Sequence, residues 1–440
     1  MTDRLAEHAP PDVAAPEEPR DRSAHNTLVL VVFTAITNLA DGVIKMALPL
    51  IATTLTSSPA AVAAVSLTLT LPWLLTALHV GVLVDRFDRR MLLWLANALR
   101  LLTLAALLFA QFSGAISLPL LLVGGAVLGI AEVIALTSAM ALTPTAVGPR
   151  WRERANAWIT GAETVCNEFC GPFVGGLLIA AGSAFALGAT AAGYVLGTVV
   201  LVFLIGRFRV SRPADQAPES VSRQIGSGLQ YLWRQRLLRL MALVLTVLCS
   251  CWGAWLALMP LMATTMMNLD AREYGMLLSA LGIGGLVGAL TVTAVNRLIG
   301  RRWALFADLV GTFAMVATPV LTTELWILAL GAFLGGMGGT LWAVNARTIA
   351  QYLVEPEMMG RYSAVARLFS WGAMPVGAGV VGLLAEFFGM RAAFIVFALA
   401  VLITVPAFLR TVTPQVLAGV EEAKQRQLAD HAEGGARHAE

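Results

Sequence analysis

The stretch Gly81-Val-Leu83-Val-Asp85-Arg86-Phe-Asp88-Arg89-Arg90 packs five charges into ten residues and stands between two apolar runs, 60–83 and 91–112. Each run is long enough for a spanning helix, which needs about 20 residues. The charged segment therefore reads as a short connection at a membrane face, with the chain crossing the bilayer on either side of it. Composition agrees. Apolar residues make up 58% of the 440 and charged residues 13%, about half the charged share of a soluble domain. Only 40 of the 57 formal charges fall between residues 27 and 410, and such a stretch cannot stay soluble.

Outward from residues 81–90, apolar runs bounded by Gly, Pro or charge predict twelve spans, near 28–52, 60–83, 91–112, 118–147, 156–181, 184–206, 240–266, 275–296, 303–321, 325–350, 362–387 and 392–410. The connections after the second, fourth, sixth and eighth spans hold sixteen arginines, whereas the odd-numbered connections hold only Arg272 and Arg391. That asymmetry puts the basic connections and both termini in the cytoplasm. Residues 1–26 are polar and Pro-rich with no apolar leader and read as a disordered cytoplasmic tail. Residues 411–440 form a second cytoplasmic tail. The longest connection, 207–239, separates one six-helix set (27–206) from another (240–410). In it Ile225, Leu229, Leu232, Trp233 and Leu237 recur at helical spacing among arginines, predicting either an amphipathic helix on the inner leaflet or an early start of the seventh span. Arg154-Ala-Asn-Ala lies 207 positions before Arg361-Tyr-Ser-Ala, and Gly176-Leu-Leu lies 206 before Gly382-Leu-Leu. Two such echoes predict a duplicated 6+6 architecture with a central site between the halves.

At this place in such a topology, residues 81–90 resemble motif A of the major facilitator superfamily, Gly-x-Leu-x-Asp-Arg-x-Gly-Arg-Arg/Lys, with Asp88 standing at the second glycine. The resemblance implies an all-α polytopic membrane protein of twelve helices in two pseudo-symmetric bundles. It also implies a latch, formed by Gly81, Asp85, Arg86 and Arg90, that steadies the outward-facing state. Gly81 would let two helices approach closely, and the arginines would hold the loop at the inner leaflet. A looser echo, Asn296-Arg297-Leu-Ile-Gly300-Arg301-Arg302, follows the eighth span. In the fifth span, Gly171-Pro172-Phe-Val-Gly175-Gly176 resembles the end of the antiporter motif C, although Trp158 and Asn167 replace its earlier glycines. A bent, closely packed helix between the halves is expected there. Asn38-Leu-Ala-Asp41-Gly42, Glu153-Arg154-Ala-Asn156 and Ala162-Glu163-Thr164 look like the bacterial drug and siderophore exporter branch that includes enterobactin and macrolide exporters. The likeness extends over residues 28–410.

An ionisable side chain at the centre of a span costs about 2.5–3.5 kcal/mol, so each one needs a reason. The first half holds six: Asp41, Lys45, Arg100, Glu132, Glu163 and Glu168. Asp41 and Lys45 are one turn apart on one helix face and can pair with each other, leaving Arg100 for a further acid. Four acids against two bases call for protons or a cationic ligand. Desolvation favours a neutral carboxyl, so Asp41, Glu132, Glu163 and Glu168 are the candidates for proton coupling or cation binding, with Lys45 and Arg100 as charge partners. Asp308, Arg347 and Arg367 are expected to support the second motif-A-like loop, and His79 to be a packing residue. Trp252, Trp255, Trp342, Trp371, Phe33, Phe369 and Tyr194 are candidates for lining a cavity.

The expected protein is a monomeric inner-membrane transporter that exports a lipophilic or cationic small molecule in exchange for protons. The proton gradient supplies the energy, without cofactor, metal or nucleic acid. Its four cysteines lie in apolar runs without histidines at ligand spacing. The glycine runs at 282–288 and 335–339 follow no strand and read as helix-packing surfaces, not nucleotide loops. No nucleophile and base suggest an enzyme. A proton-driven uptake symporter and a non-transporting sensor are the alternatives.

Overall fold

The structure, a computed structural model, describes residues 20–206, 221–422 and 425. The first half runs through α1 (Arg20–Leu55), α2 (Pro59–Arg86), α3 (Arg89–Phe112), α4 (Leu118–Ala146), α5 (Pro149–Glu163), α6 (Gly171–Ala181) and α7 (Ser183–Val202). The second comprises α8 (Val221–Arg234), α9 (Arg236–Thr265), α10 (Ala271–Leu298), α11 (Gly300–Leu321), α12 (Leu325–Leu353), α13 (Pro356–Ser370), α14 (Ala373–Phe388) and α15 (Met390–Thr411). Among the described residues twelve spans are long and apolar enough to cross a membrane, α5 joining α6 and α13 joining α14 to make single crossings. The two-bundle membrane fold expected from the sequence is present.

The fifth span leaves α-helical geometry where its sequence demands it. Pro172 has no N–H to offer the helix ladder, and the backbone before it loosens into a π-helical turn, Thr164–Cys170. The Gly171 N–H accordingly reaches five residues back, to the Cys166 carbonyl. In the second half the glycine runs bring backbones together: Gly284 lies against Phe333, Gly336 against Leu281 and Gly311 against Leu334. These contacts join α10 and α11 to α12.

The duplication shows in two arginines. Arg90, at the start of α3, donates from Nη2 to the Val202 carbonyl at the end of α7, at 3.0 Å. Arg302, at the start of α11, donates from Nη2 to Leu409 near the end of α15, at 3.1 Å. Each ties the third span of a half to its last by satisfying a carbonyl at a helix C-terminus. The face bearing these loops is called the basic face below.

Two expectations need correction. Residues 20–26, read as disordered tail, begin α1. Asn26 donates from Nδ2 to the carbonyls of Ala146 (2.9 Å) and Ile205 (3.0 Å) and accepts from the Ile205 N–H (3.1 Å), so the polar run serves the ends of α4 and α7. Residues 1–19 lie outside the described ones. The amphipathic helix exists as α8, separated from α9 at Gln235, but its buried face meets protein. Leu232 is fully buried, Gly228 abuts the Arg361 backbone and the Tyr231 hydroxyl donates to the Leu353 carbonyl at 3.2 Å. The rest of that connection, residues 207–220, lies outside the described residues. Residues 414–422, within the C-terminal tail, are helical, with Val420 buried.

Candidate functional site

The charged residues of the first half pair between helices, not along one. Arg100 of α3 donates from Nη2 to Asp41 Oδ2 of α1 at 2.8 Å, both side chains buried. The Tyr194 hydroxyl of α7 donates to the other oxygen, Oδ1, at 2.6 Å. The Arg100 guanidinium stands 4.8 Å from the Tyr194 ring centroid, within cation–π range. Asn97, one turn earlier on α3, accepts from Arg100 Nη1 at 3.4 Å and donates to Thr198 Oγ1 at 3.1 Å. One turn along α1, Lys45 donates to Glu132 Oε1 of α4 at 2.7 Å, its own side chain 37% exposed and that of Glu132 only 9%.

These four groups cancel in formal charge, and the other two acids of the half are Glu163 and Glu168. Glu163 is half-buried at the end of α5. Glu168 sits in the π-helical turn, and its side chain lies outside the described residues. The intrahelical Asp41–Lys45 pair does not form, because each side chain finds a partner on another helix. Asn167, at a lost glycine of motif C, donates to Asn38 Oδ1 of α1 at 3.0 Å.

The glycines after the π-helical turn serve both interfaces. Gly171 crosses Gly42 of α1 so closely that a Cβ on it would lie 2.6 Å from the Gly42 Cα. Gly175 packs on Met46 and Val43 of the same helix. Across the halves, a Cβ on Gly176 would lie 2.7 Å from the Ala271 carbonyl and 3.1 Å from the Gly275 Cα, and one on Gly275 would lie 2.9 Å from the Pro172 carbonyl. This α6–α10 contact lies toward the face opposite the basic loops.

At that opposite face the halves are latched. Glu386, near the end of α14, accepts on Oε2 from the Ser58 hydroxyl at 2.8 Å and from the Ala60 N–H at 3.2 Å, at the first turn of α2. Gly382 packs on Ala60 and Ala63. Midway through the membrane, Trp73 and Trp371 stand 5.9 Å apart across the gap. Nearer the basic face, a methyl on Gly81 or Gly161 would meet nothing within 4 Å, and Leu75 and Trp158 are exposed. Among the described residues the halves meet at one face, and open space adjoins Gly81 and Gly161 nearer the basic one.

Among the described residues no helix makes the approach expected at Gly81. The motif-A-like loop is held instead from within the first half. Asp88 caps α3, accepting from the N–H groups of Arg90 (2.8 Å) and Met91 (3.3 Å), which accounts for an acid at the usual glycine place. Arg89 donates from Nη1 to the Ala141 carbonyl of α4 at 2.7 Å and Arg90 reaches α7, so both bind helix ends. Arg86 is exposed. The Asp85 side chain lies outside the described residues. The second loop keeps its glycine, Gly300, at φ +80°, where a side chain is strained.

Of the proposed cavity aromatics, Trp255, Trp342, Tyr194 and Phe33 are buried in the bundle cores, whereas Trp252 and Phe369 are half-buried and Trp371 exposed. His79 is exposed, not packed. Asp308 does not support the loop. It is buried against α12, with a Cβ on Gly338 falling 2.6 Å from its Cα. No sequence signal separated Asp308 from the arginines grouped with it. Tyr194, expected to line a cavity, is instead buried as a hydrogen-bond donor to Asp41.

Solved structures share this architecture. A bacterial homologue of the iron transporter ferroportin in an inward-facing state superposes with a TM-score of 0.67 at 16% identity, over 90% of this chain and 99% of that one. The nucleoside transporter NupG gives 0.68 at 13%, over 88% and 98%. The fold is that of a major facilitator transporter. A model of the family described as transmembrane secretion effector matches residues 24–432, and the chain belongs to that family. It is a multi-pass membrane transporter of small molecules, not an enzyme. The multidrug efflux pump Tap of Mycolicibacterium fortuitum is 26% identical over 386 residues, 86% of this chain and 93% of that protein. The enterobactin exporter EntS of Salmonella choleraesuis (strain SC-B67) is 27% identical over 369 residues, covering 82% and 84%.

Proposed function

We propose that this protein is a monomeric, proton-coupled exporter of the inner membrane that moves a lipophilic or cationic small molecule, a drug, antibiotic or siderophore, by alternating access. The observation that carries the coupling is the Lys45–Glu132 pair. It lies inside the membrane on α1, a helix that touches α9 of the opposite half, and it is partly open on the lysine side. An ammonium facing lipid at that depth is costly, so its open side belongs to the gap between halves. A proton on Glu132 would release Lys45, and a cationic solute would compete for the same carboxylate. Proton and substrate then exclude one another, which is what antiport requires. Glu163 and Glu168, near the π-helical turn of the fifth span, are the further acids of this route.

The arginine asymmetry supports cytoplasmic termini and a cytoplasmic basic face. On that orientation the closed face, latched by Glu386, is the outer one. Two export-named relatives support the direction. Everted vesicles given an imposed pH gradient and a fluorescent lipophilic cation such as ethidium test the reading: gradient-driven accumulation in the vesicles is expected. Gradient-driven uptake into intact cells would overturn it.

A further inference from the structure

Asp308 is the buried acid that the first-half cluster leaves unused. It lies eight residues into α11 from the basic face, about 12 Å along the helix, and is 2% exposed. The Thr312 hydroxyl donates to its Oδ1 at 3.1 Å. A Cβ on Gly339 of α12 would lie 3.9 Å from that oxygen and 3.1 Å from the Trp252 ring of α9, so only a glycine separates the carboxyl from the indole.

The other groups near Asp308 carry no compensating charge. α9 contributes only neutral thiols here, and that of Cys251 donates to the Phe397 carbonyl of α15 at 3.7 Å. On its own helix Arg301 and Arg302 lie about 10 Å nearer the basic face, and Arg302 is bound to the Leu409 carbonyl and stacked on Trp303. Arg297 of α10, Arg347 of α12 and Arg410 of α15 are exposed toward that same face, while Arg272 and Glu273 of α10 and Arg391 of α15 lie at the opposite one. Among the described residues no cation pairs with Asp308.

The duplication sharpens the contrast. Arg302 stands 212 positions after Arg90 and makes the same tie; in that register Thr312 corresponds to Arg100. Where the first bundle buries a guanidinium against its acid, the second offers a hydroxyl. A carboxylate buried without a cation is costly. A hard metal cation asks for about six or more oxygen ligands, and Asp308 and Thr312 supply two side chains. A proton asks for a single oxygen.

We propose that Asp308 is a proton-binding site of the second bundle, distinct from the Asp41 and Glu132 cluster. The carboxyl holds a proton in the enclosed α11–α12 contact and gives it up as the pH rises. The site goes beyond the export reading and does not depend on which solute moves.

Infrared difference spectroscopy on the purified protein in lipid nanodiscs, without solute, reads the carboxyl itself. Between about pH 5 and pH 10, the wild type is expected to lose a protonated-carboxyl C=O band that D308N lacks and that D308E and T312V displace. Identical wild-type and D308N spectra overturn the proposal, as does a band that persists unchanged to the alkaline end, which would mark a permanently neutral packing acid. Should D308N fail to fold, T312V carries the test, because removing the hydroxyl must move the band; an unmoved band is a negative result. None of these outcomes bears on ethidium export.

Discussion

Lys45 pairs with Glu132, 87 residues away on α4, at 2.7 Å, and not with Asp41 one turn before it on its own helix. The exchange leaves Asp41 to Arg100 and gives each pair a different environment. The Asp41–Arg100 side chains are 8% and 2% exposed, whereas Lys45 is open on one side. Neighbouring charges on one helix thus enter two interhelical pairs of different exposure.

Asp41→Asn leaves Arg100 buried without its counter-charge. Removing one partner of such a pair costs about 3–5 kcal/mol, so a strong fall in the melting temperature of the detergent-solubilised protein is expected. Asp41→Asn combined with Arg100→Met should recover much of it. Equal melting of the wild type and the single variant would contradict the structural role.

Glu132→Gln behaves differently. Its partner is more than a third exposed, and an ion pair of that kind is worth about 1 kcal/mol or less, so the melting temperature should barely move. Efflux driven by an imposed pH gradient should be lost while solute binding, measured by fluorescence titration, is retained. Glu163→Gln and Glu168→Gln measured alongside show whether the coupling extends to the π-helical turn. Unchanged gradient-driven transport in all three would remove these acids from the mechanism.

Glu386→Ala removes two hydrogen bonds that join the halves at the closed face. Capping bonds of this type are worth about 1 kcal/mol each, so the closed-to-open equilibrium at that face should shift by about five- to thirtyfold. Spin-label distances between Leu55 and Phe387 report the shift as a growing longer-distance population, and an unchanged distribution argues against the latch.

Alanine should weaken both basic loops, for different reasons. Asp88→Ala removes the cap of α3 and is expected to cost about 0.5–2 kcal/mol, with Asp88→Gly costing only a few tenths. At Gly300, where φ is +80°, alanine itself is the strained residue and is expected to destabilise by about 1 kcal/mol. Thermal melts of the three variants check the order.

Much of this architecture was legible without coordinates, and particular residues show why. The spans follow from runs of apolar residues, a local property, and motif A with its arginines marks one face. Pro172 announces a departure from α-helical geometry because a missing N–H breaks the ladder wherever the helix lies. The α8 docking was not legible: an amphipathic face records that it wants covering, not whether lipid or α13 covers it. Ser23 and Asn26 were taken for tail because their polarity suits water as well as it suits the ends of α4 and α7.

The amino-acid order by itself therefore determined the number of crossings, the division into two sets of six and the family motif, because each depends on polarity over a window of chain. Only the tertiary structure decided that Arg100 goes to Asp41 and Lys45 to Glu132, that Tyr194 completes the first pair, and that no cation among the described residues pairs with Asp308. The rotation and depth of one helix against another bring those side chains together, and packing across the whole bundle sets both.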